Sequence, residues 1–229
     1  MDKPAPNPQT PASGSTPSPQ SPAPKSRKGL LFVISAPSGA GKTSICRAIL
    51  TLFPNLRQSI SYTTRAMRSG EQEGRDYHFV SKETFETMVA AGEFAEWAEV
   101  HGNCYGTALK TLTNASEAGA DVLLDIDFQG ANKLRNSDLD GVFLFILPPN
   151  MEELLSRLES RNTDDEETIA RRMTNAIGEI AESVKFDYIV VNDILEQAVE
   201  KVRAIMIAET LHSDRVLKTL PEEFGLNLK

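Results

Sequence analysis

The stretch from Ala36 to Ser44, APSGAGKTS, holds the residues whose types and spacing point most directly to chemistry. It matches the phosphate-binding pattern G-x-x-x-x-G-K-[ST] except at Ala36, which stands where the pattern has its first glycine. In such a loop, backbone N–H groups converge on phosphate oxygens, the lysine reaches the terminal phosphates, and the next hydroxyl coordinates Mg²⁺. Because Ala36 precedes Pro37, extended backbone with negative φ is favoured there, and alanine is at no disadvantage.

The elements around this loop are the ones that a phosphate-binding loop requires. Residues 30–35, LLFVIS, form an apolar run of strand length, and the residues after the loop place Ile45, Ile49 and Leu52 at helical spacing. This context favours a true phosphate site over a chance glycine-rich turn. The predicted phosphate-binding residues are Ala36, Pro37, Ser38, Gly39, Ala40, Gly41, Lys42, Thr43 and Ser44, with Lys42 as a catalytic cation and Thr43 as a ligand of Mg²⁺.

The rest of the chain alternates apolar strands with helical patterns. Residues 121–127, 142–149 and 188–193 are predicted to be buried strands, and helical patterns are predicted over 108–119, 150–161, 166–182 and 194–212. This alternation predicts an α/β fold, with a parallel sheet flanked by helices. Residues 57–107 interrupt the rhythm with polar and aromatic residues, which predicts a small inserted subdomain of mixed α/β structure.

Composition excludes several classes of protein. The first 28 of the 229 residues hold eight of the 13 prolines and no Val, Ile, Leu or aromatic residue, which predicts a disordered tail. The net charge is −8, and the tail contributes +3, so the remaining residues carry −11, which argues against non-specific nucleic-acid binding. No apolar stretch is long enough for a membrane span or resembles a secretory signal, so a cytoplasmic location is expected by default. Cys46 and Cys104 lie in unrelated contexts, which argues against a disulfide framework or a zinc site.

Two long stretches of the insert carry a family resemblance. SISYTTRAMRSGEQEGRDYHF (59–79) and EFAEWAEVHGNCYGT (93–107) resemble the guanylate kinase family. The likeness continues through LLDIDFQG, RLESRNTDDEETIARRM and YIVVND, and so covers nearly all of residues 30–205. It implies a P-loop NTPase fold over 29–229, with a core at about 29–56, 108–148 and 176–215, a GMP-binding insert at about 57–107 and a mobile helical lid at about 149–175.

The resemblance also implies an activity, which is transfer of the γ-phosphoryl group of ATP to GMP or dGMP with Mg²⁺. Such an enzyme serves the synthesis and recycling of guanine nucleotides, and its partners are small molecules rather than nucleic acid or membrane. The state of the chain, monomer or homo-oligomer, stays open. The alternative is a catalytically silent guanylate kinase-like module that binds other proteins, but such modules typically lose the phosphate loop.

Four residues of the insert suit a phosphate monoester. Arg65 and Arg68 offer forked guanidinium groups, and Tyr77 and Tyr105 offer neutral hydroxyl donors, as a dianionic phosphate requires. The resemblance assigns all four to the phosphate of GMP. Without the tyrosines and the rest of the motif, two arginines in a polar loop would by default be solvated side chains.

Glu96 is the candidate for recognition of the base. Guanine presents two adjacent donors, N1–H and the N2 amine, and one carboxylate can accept from both, whereas adenine presents an acceptor at N1. A site built on such a pair rejects the wrong base, because the carboxylate is then left without partners. Local sequence leaves an exposed helix or strand face equally open, and the resemblance places Glu96, Thr107 and Ser61 around the base.

Three polar residues follow the predicted strands. Asp125 and Asp127 are two apart at the end of an apolar run, so both side chains are predicted to leave the same strand face. The resemblance implies that Asp127 contacts GMP, while Asp125 is either structural or a metal ligand, directly or through water. Asn192 matches a family position near the adenine of ATP, although a simple strand-end turn explains it equally well.

The predicted lid supplies further arginines. Arg157 and Arg161 lie four apart on one helix face, and Arg172 borders the apolar face of the next helix while Arg171 points more toward solvent. The resemblance gives Arg157, Arg161 and Arg172 catalytic roles at the phosphates. The acidic run between the two helices marks a helix start, with Thr163 and Glu166 at the spacing of a capping box.

Overall fold

The computed structural model describes residues 27–100, 102–137, 139–160 and 165–220. The strands are β1 Leu31–Ser35, β2 Arg57–Gln58, β3 Tyr62–Thr63, β4 His78–Phe79, β5 Phe94–Val100, β6 Asn103–Ala108, β7 Val122–Asp125, β8 Gly141–Leu147 and β9 Tyr188–Val191. The helices are α1 Lys42–Leu52, α2 Lys82–Ala90, α3 Leu109–Glu117, α4 Phe128–Arg135, α5 Met151–Glu159, α6 Glu166–Ala181, α7 Leu195–Thr210 and α8 Ser213–Val216.

Five strands form a parallel sheet in the order β2-β7-β1-β8-β9. The strand before the phosphate loop, β1, lies at its centre and pairs with β7 on one side and β8 on the other. The α/β fold predicted from the sequence is therefore confirmed, with all four predicted strands in this sheet. The sequence did not reveal β2, because two residues are too short for a periodic signal.

Helices cover both faces of this sheet, as a parallel sheet requires. Phe32 and Ile34 of β1 point into a core that contains side chains of α1 and α7. Leu31 and Val33, on the opposite face, point into a core that contains side chains of α3 and α4. The central strand is thus buried from both sides, and its carboxyl end holds the phosphate loop at a fixed edge.

The insert forms a second sheet in the order β4-β3-β6-β5. Its β3–β4 pair is parallel, whereas β6 is antiparallel to both β3 and β5. A small separate core lies under it, in which Phe85 of α2 stacks on Phe94 with ring centroids 4.6 Å apart. Although the insert was predicted from residue 57, Arg57 and Gln58 pair with β7 in the large sheet.

Helices α5 and α6 pack on one another in the predicted lid. Leu154 and Leu158 of α5 are buried against Ala176 of α6, and α6 runs without a break through the predicted lid boundary at 175/176. The N-cap of α6 is Asp165, whose carboxylate accepts from the backbone N–H of Thr168. Thr163, where the sequence predicted a capping box, lies outside the described residues. Ile177 of α6, one residue after the buried Ala176, is 63% exposed.

Arg27, which the sequence analysis assigned to the tail, makes a contact with the large sheet. It donates to both carboxylate oxygens of Asp121, just before β7, at 2.7 Å. Residues 1–26, on which the prediction of disorder falls, lie outside the described residues. Within the described ranges, no helix has the length and apolar character that a bilayer crossing requires.

Candidate active site

The phosphate loop connects the end of β1 to the start of α1. Gly39 and Gly41 have φ angles of 94° and 93°, in the left-handed region that favours glycine. Neither has room for a side chain, since a Cβ at Gly39 would lie 2.9 Å from Leu154 of α5 and one at Gly41 would lie 2.3 Å from the amide nitrogen of Asn192. Ala36, at the mismatched position, packs against the core on the α1 side. The loop is therefore held in shape by its neighbours as well as by its own glycines.

Lys42, the first residue of α1, reaches across to the end of β7. Its ammonium lies 2.6 Å from the carbonyl oxygen of Ile126 and 2.8 Å from the carboxylate of Asp125. Burial by itself lowers the pKa of Lys42, but the charge and hydrogen bond of Asp125 outweigh it and raise the pKa above its usual value. Lys42 therefore stays protonated and positively charged at the loop, with Asp125 as its counter-ion.

A cavity of about 250 Å³ opens beside the loop. Its lining includes Lys42 and Thr43 of the phosphate loop and Glu96 of the inserted sheet. Eight of the residues predicted for the site line it: Lys42, Thr43, Ser61, Tyr77, Glu96, Tyr105, Asp125 and Asp127. A cationic phosphate loop and a buried carboxylate therefore share one cavity, although they come from different sheets.

Glu96 lies in β5, opposite Thr107 of β6. The Thr107 hydroxyl donates to its Oε1 at 2.5 Å, and only 5% of Glu96 is exposed. Burial raises the pKa of Glu96 to about 7, with Asp127 adding to the rise and Thr107 and Lys133 opposing it. The carboxyl group is therefore close to half ionised at neutral pH, and hydrogen-bond donors from a ligand would favour its ionised form.

A second cavity, also of about 250 Å³, concentrates positive charge. Arg65 and Arg68 of the insert line it together with Arg171 and Arg172 of α6, and Tyr105 lines both cavities. Arg172 is half-buried and Arg171 exposed, as predicted, but both contribute to this wall. The cavity that contains Glu96 suits a base, and the cavity that contains the arginines suits a phosphate. A nucleoside monophosphate has both of these groups.

Comparison with known proteins identifies the family of this chain. The family model for guanylate kinase matches residues 28–209. The chain belongs to the guanylate kinase family. It is 57% identical over 203 residues to a guanylate kinase from Syntrophotalea carbinolica, covering 89% of this chain and 97% of the relative, and 52% identical over 200 residues to one from Geobacter metallireducens, covering 87% and 98%. A crystal structure of guanylate kinase from Anaplasma phagocytophilum superposes with a TM-score of 0.72 at 35% identity, covering 89% of this chain and 99% of that one.

In this guanylate kinase-family chain, Asp127 does not stand where the strand pattern predicted. The strand β7 ends at Asp125, and Asp127 is the N-cap of α4, where its Oδ1 accepts from the N–H of Gly130 at 2.9 Å. The two carboxylates therefore belong to different elements, and the prediction that they leave one strand face is wrong. The sequence analysis missed α4, although an Asp before Ala131 and Leu134 at helical spacing is a usable signal for a capped helix.

Glu71 is a site residue that the sequence analysis missed. Its carboxylate accepts two hydrogen bonds from the Arg65 guanidinium, at 2.7 and 3.1 Å, and one from the backbone N–H of Arg68 at 2.7 Å. The hydrogen bond from Arg65 lowers the pKa of Glu71, so the carboxylate is charged. The signal available in the sequence was an acidic residue three positions after Arg68 in a loop that otherwise gathers cations.

Asn192 forms a hydrogen bond with the phosphate loop, and Arg157 forms one with Asn192. The side-chain amide of Asn192, which is 5% exposed, donates to the carbonyl oxygen of Ala40 at 2.7 Å. Arg157 of α5 donates to the backbone oxygen of Asn192 at 3.0 Å and to Glu153 at 2.8 Å. These bonds tie β9 and α5 to the loop. The predicted contact of Asn192 with adenine stays a prediction, and Arg161 lies outside the described residues.

Proposed function

We propose that this member of the guanylate kinase family transfers the γ-phosphoryl group of ATP to GMP, and likewise to dGMP, giving ADP and the corresponding diphosphate. The observation that carries the proposal is the shared cavity, which Lys42 and Thr43 of the phosphate loop line together with the buried Glu96. A silent interaction module has no need of a charged Lys42 held at the loop by Asp125. The reaction belongs to purine metabolism.

The donor side of the reaction uses the phosphate loop. Backbone N–H groups of residues 36–44 receive the ATP phosphates, and the Lys42 ammonium moves from Asp125 to the terminal phosphates. The Thr43 hydroxyl and the Asp125 carboxylate are hard oxygen donors in one cavity, which suits Mg²⁺ held largely by phosphates and water. In the described part of the chain, no group of three or more His, Cys, Asp or Glu residues could hold a metal ion. When bound, Mg²⁺ neutralises phosphate charge that develops during transfer.

The acceptor side orients GMP. Ionised Glu96 accepts from N1–H and the N2 amine of guanine, with Ser61, Thr107 and Asp127 around the base. The pKa of Tyr77 is raised, chiefly by burial, so its hydroxyl stays a neutral donor toward the phosphate. Together with Arg65, Arg68 and Tyr105 it fixes the dianion, so that a phosphate oxygen of GMP is presented to the γ-phosphorus of ATP.

The lid completes the site in this proposal. Arg157, Arg161 and Arg172 approach the transferring group, where their charge stabilises the transition state. Closure of the helices over the nucleotides excludes water, which otherwise hydrolyses ATP.

We infer a cytoplasmic location from the free thiols of Cys46 and Cys104, which suit a reducing compartment.

A coupled assay of ADP release tests the proposal. The purified chain is supplied with ATP and Mg²⁺ and, in separate reactions, GMP, dGMP, AMP or UMP. Turnover with GMP and dGMP and at most weak turnover with AMP and UMP is the expected result. Lys42→Met, which removes the cation of the loop, is the matched inactive control. Absence of turnover with GMP would refute the enzymatic function.

A further inference from the structure

Gly130 lies in the first turn of α4, directly against the carboxylate of Glu96. A Cβ built on Gly130 would stand 2.4 Å from Oε2 of Glu96, 3.0 Å from its Cδ and 3.3 Å from Oδ1 of Asp127. Apart from the atoms of its own residue and its chain neighbours, a real Cβ atom essentially never lies within 3.0 Å of another heavy atom. The carboxylate therefore occupies the volume that a side chain at position 130 would need.

The backbone at Gly130 gives no other reason for glycine. Its φ is not among the positive values of this chain, and its conformation is that of an ordinary α-helix, which alanine favours over glycine. Its N–H donates to Asp127, as the N–H of any residue except proline would. What glycine supplies here is space, and Glu96 fills that space.

The space fixes the position of Glu96 from the side opposite Thr107. The Thr107 hydroxyl holds Oε1, while Oε2 rests against the N-terminal turn of α4, whose partial positive charge favours a carboxylate. To reach an ordinary contact of 3.4 Å with a methyl group at position 130, Oε2 would have to retreat by about 1 Å. Hydrogen bonds weaken steeply with such displacements, and a misplacement of about 1 Å costs up to about a hundredfold in rate.

We infer that Gly130 is a specificity-determining residue, which sets the place of the guanine-reading carboxylate by having no side chain. The inference rests on the proposed function, since it assumes that Glu96 accepts from the base. It adds a residue that touches Glu96 rather than the nucleotide. Gly130 acts through position, so its effect must appear in the choice of base and not in the use of ATP.

The test compares Gly130→Ala with Gly178→Ala. Gly178 lies in the interior of α6, and a Cβ there meets nothing within 4 Å, so this variant controls for the change of helix propensity. Steady-state kinetics are measured with GMP and with inosine monophosphate, which lacks the N2 amine, at saturating ATP and Mg²⁺. In Gly130→Ala we expect kcat/KM for GMP to fall by about ten- to a hundredfold, the preference for GMP over inosine monophosphate to shrink, and KM for ATP to stay unchanged. Gly178→Ala should behave as wild type.

Two results would overturn the inference: unchanged kcat/KM for GMP in Gly130→Ala, or an equal fall for both monophosphates with the preference intact. Failure of the wild-type chain to phosphorylate GMP would instead refute the proposed function, and is seen separately. Urea unfolding of Gly130→Ala in the wild-type and Glu96→Ala backgrounds covers the case of a poorly folded single variant. The added methyl group should destabilise only the chain that keeps Glu96, and an equal loss of stability in both backgrounds would also contradict the inference.

Discussion

Replacing Glu96 by glutamine should stabilise the free protein at alkaline pH while removing its use of GMP. The folded carboxyl group has a pKa of about 7, against an ordinary value of 4.5, because burial disfavours its charge. Between these two values the folded chain binds the proton more tightly than the unfolded chain does, so the free energy of unfolding falls as pH rises from about 4.5 to 7. Above pH 7 the full cost is present, and 2.5 units at about 1.4 kcal/mol each amount to about 3 kcal/mol.

Glu96→Gln cannot ionise and so escapes this cost. Urea unfolding at pH 8 should show the variant to be more stable than wild type by about 3 kcal/mol, and at pH 5 by less than about 1 kcal/mol. In the ADP-release assay the same variant should lose about a hundredfold or more in kcat/KM for GMP, because an amide group replaces one acceptor oxygen by a donor that opposes guanine. Binding of ATP, followed by calorimetry, should persist.

Two outcomes would refute this reasoning. A stability difference between Glu96→Gln and wild type that stays the same at pH 5 and pH 8 would show that Glu96 does not titrate between the two values. Equal activity with GMP in the variant and wild type would show that the base is recognised elsewhere. Thr107→Val provides a check on the environment, since loss of the hydroxyl that donates to Oε1 should raise the pKa of Glu96 further.

Three further predictions follow from the same contacts. In the wild type, KM for GMP should rise as pH falls below about 7, by about tenfold per unit below pH 6, because the Glu96 carboxylate must be ionised to accept from guanine; steady-state kinetics from pH 5.5 to 8.5 measure this. Glu71→Gln should raise KM for GMP by about tenfold with KM for ATP unchanged, since it weakens the fork that orients Arg65. Asn192→Ala should lower the free energy of unfolding by about 1–3 kcal/mol and raise KM for ATP several-fold, because the buried carbonyl of Ala40 loses its donor.

Each of these predictions can be contradicted by a further measurement. Persistence of the pH dependence of KM in Glu96→Gln would assign it to another group. Glu86→Gln, on the exposed surface of α2, removes a weak pair with Lys82 at 3.9 Å and should leave both KM values as in wild type. An equal rise of both KM values in Glu71→Gln, or an unchanged KM for ATP in Asn192→Ala, would contradict the positions assigned to these side chains.

Local sequence determined the phosphate loop and the alternating strands and helices of this protein. The apolar run before residue 36, the glycine-rich loop and the helical spacing behind it are chemical requirements between near neighbours, so they are legible without a structure. The same holds for the alternation of strands and helices that predicted a parallel sheet. Motifs such as 59–79 were informative for a related reason, since phosphate and base recognition confine several nearby positions to particular residue types.

Tertiary structure alone decided how these parts work on one another. Asn192 holds Ala40 across 152 positions of the chain, Glu96 of the insert rests against Gly130 of α4, and Asp125 takes Lys42 as its partner. Helical or strand periodicity cannot predict any of these pairs, because it relates only near neighbours in sequence. The members of each pair belong to different helices, strands or loops, which the tertiary fold brings together. The type of a residue determines which hydrogen bonds and charges its side chain can offer. Burial and neighbours from distant segments determine its protonation state, its orientation and the volume available to it.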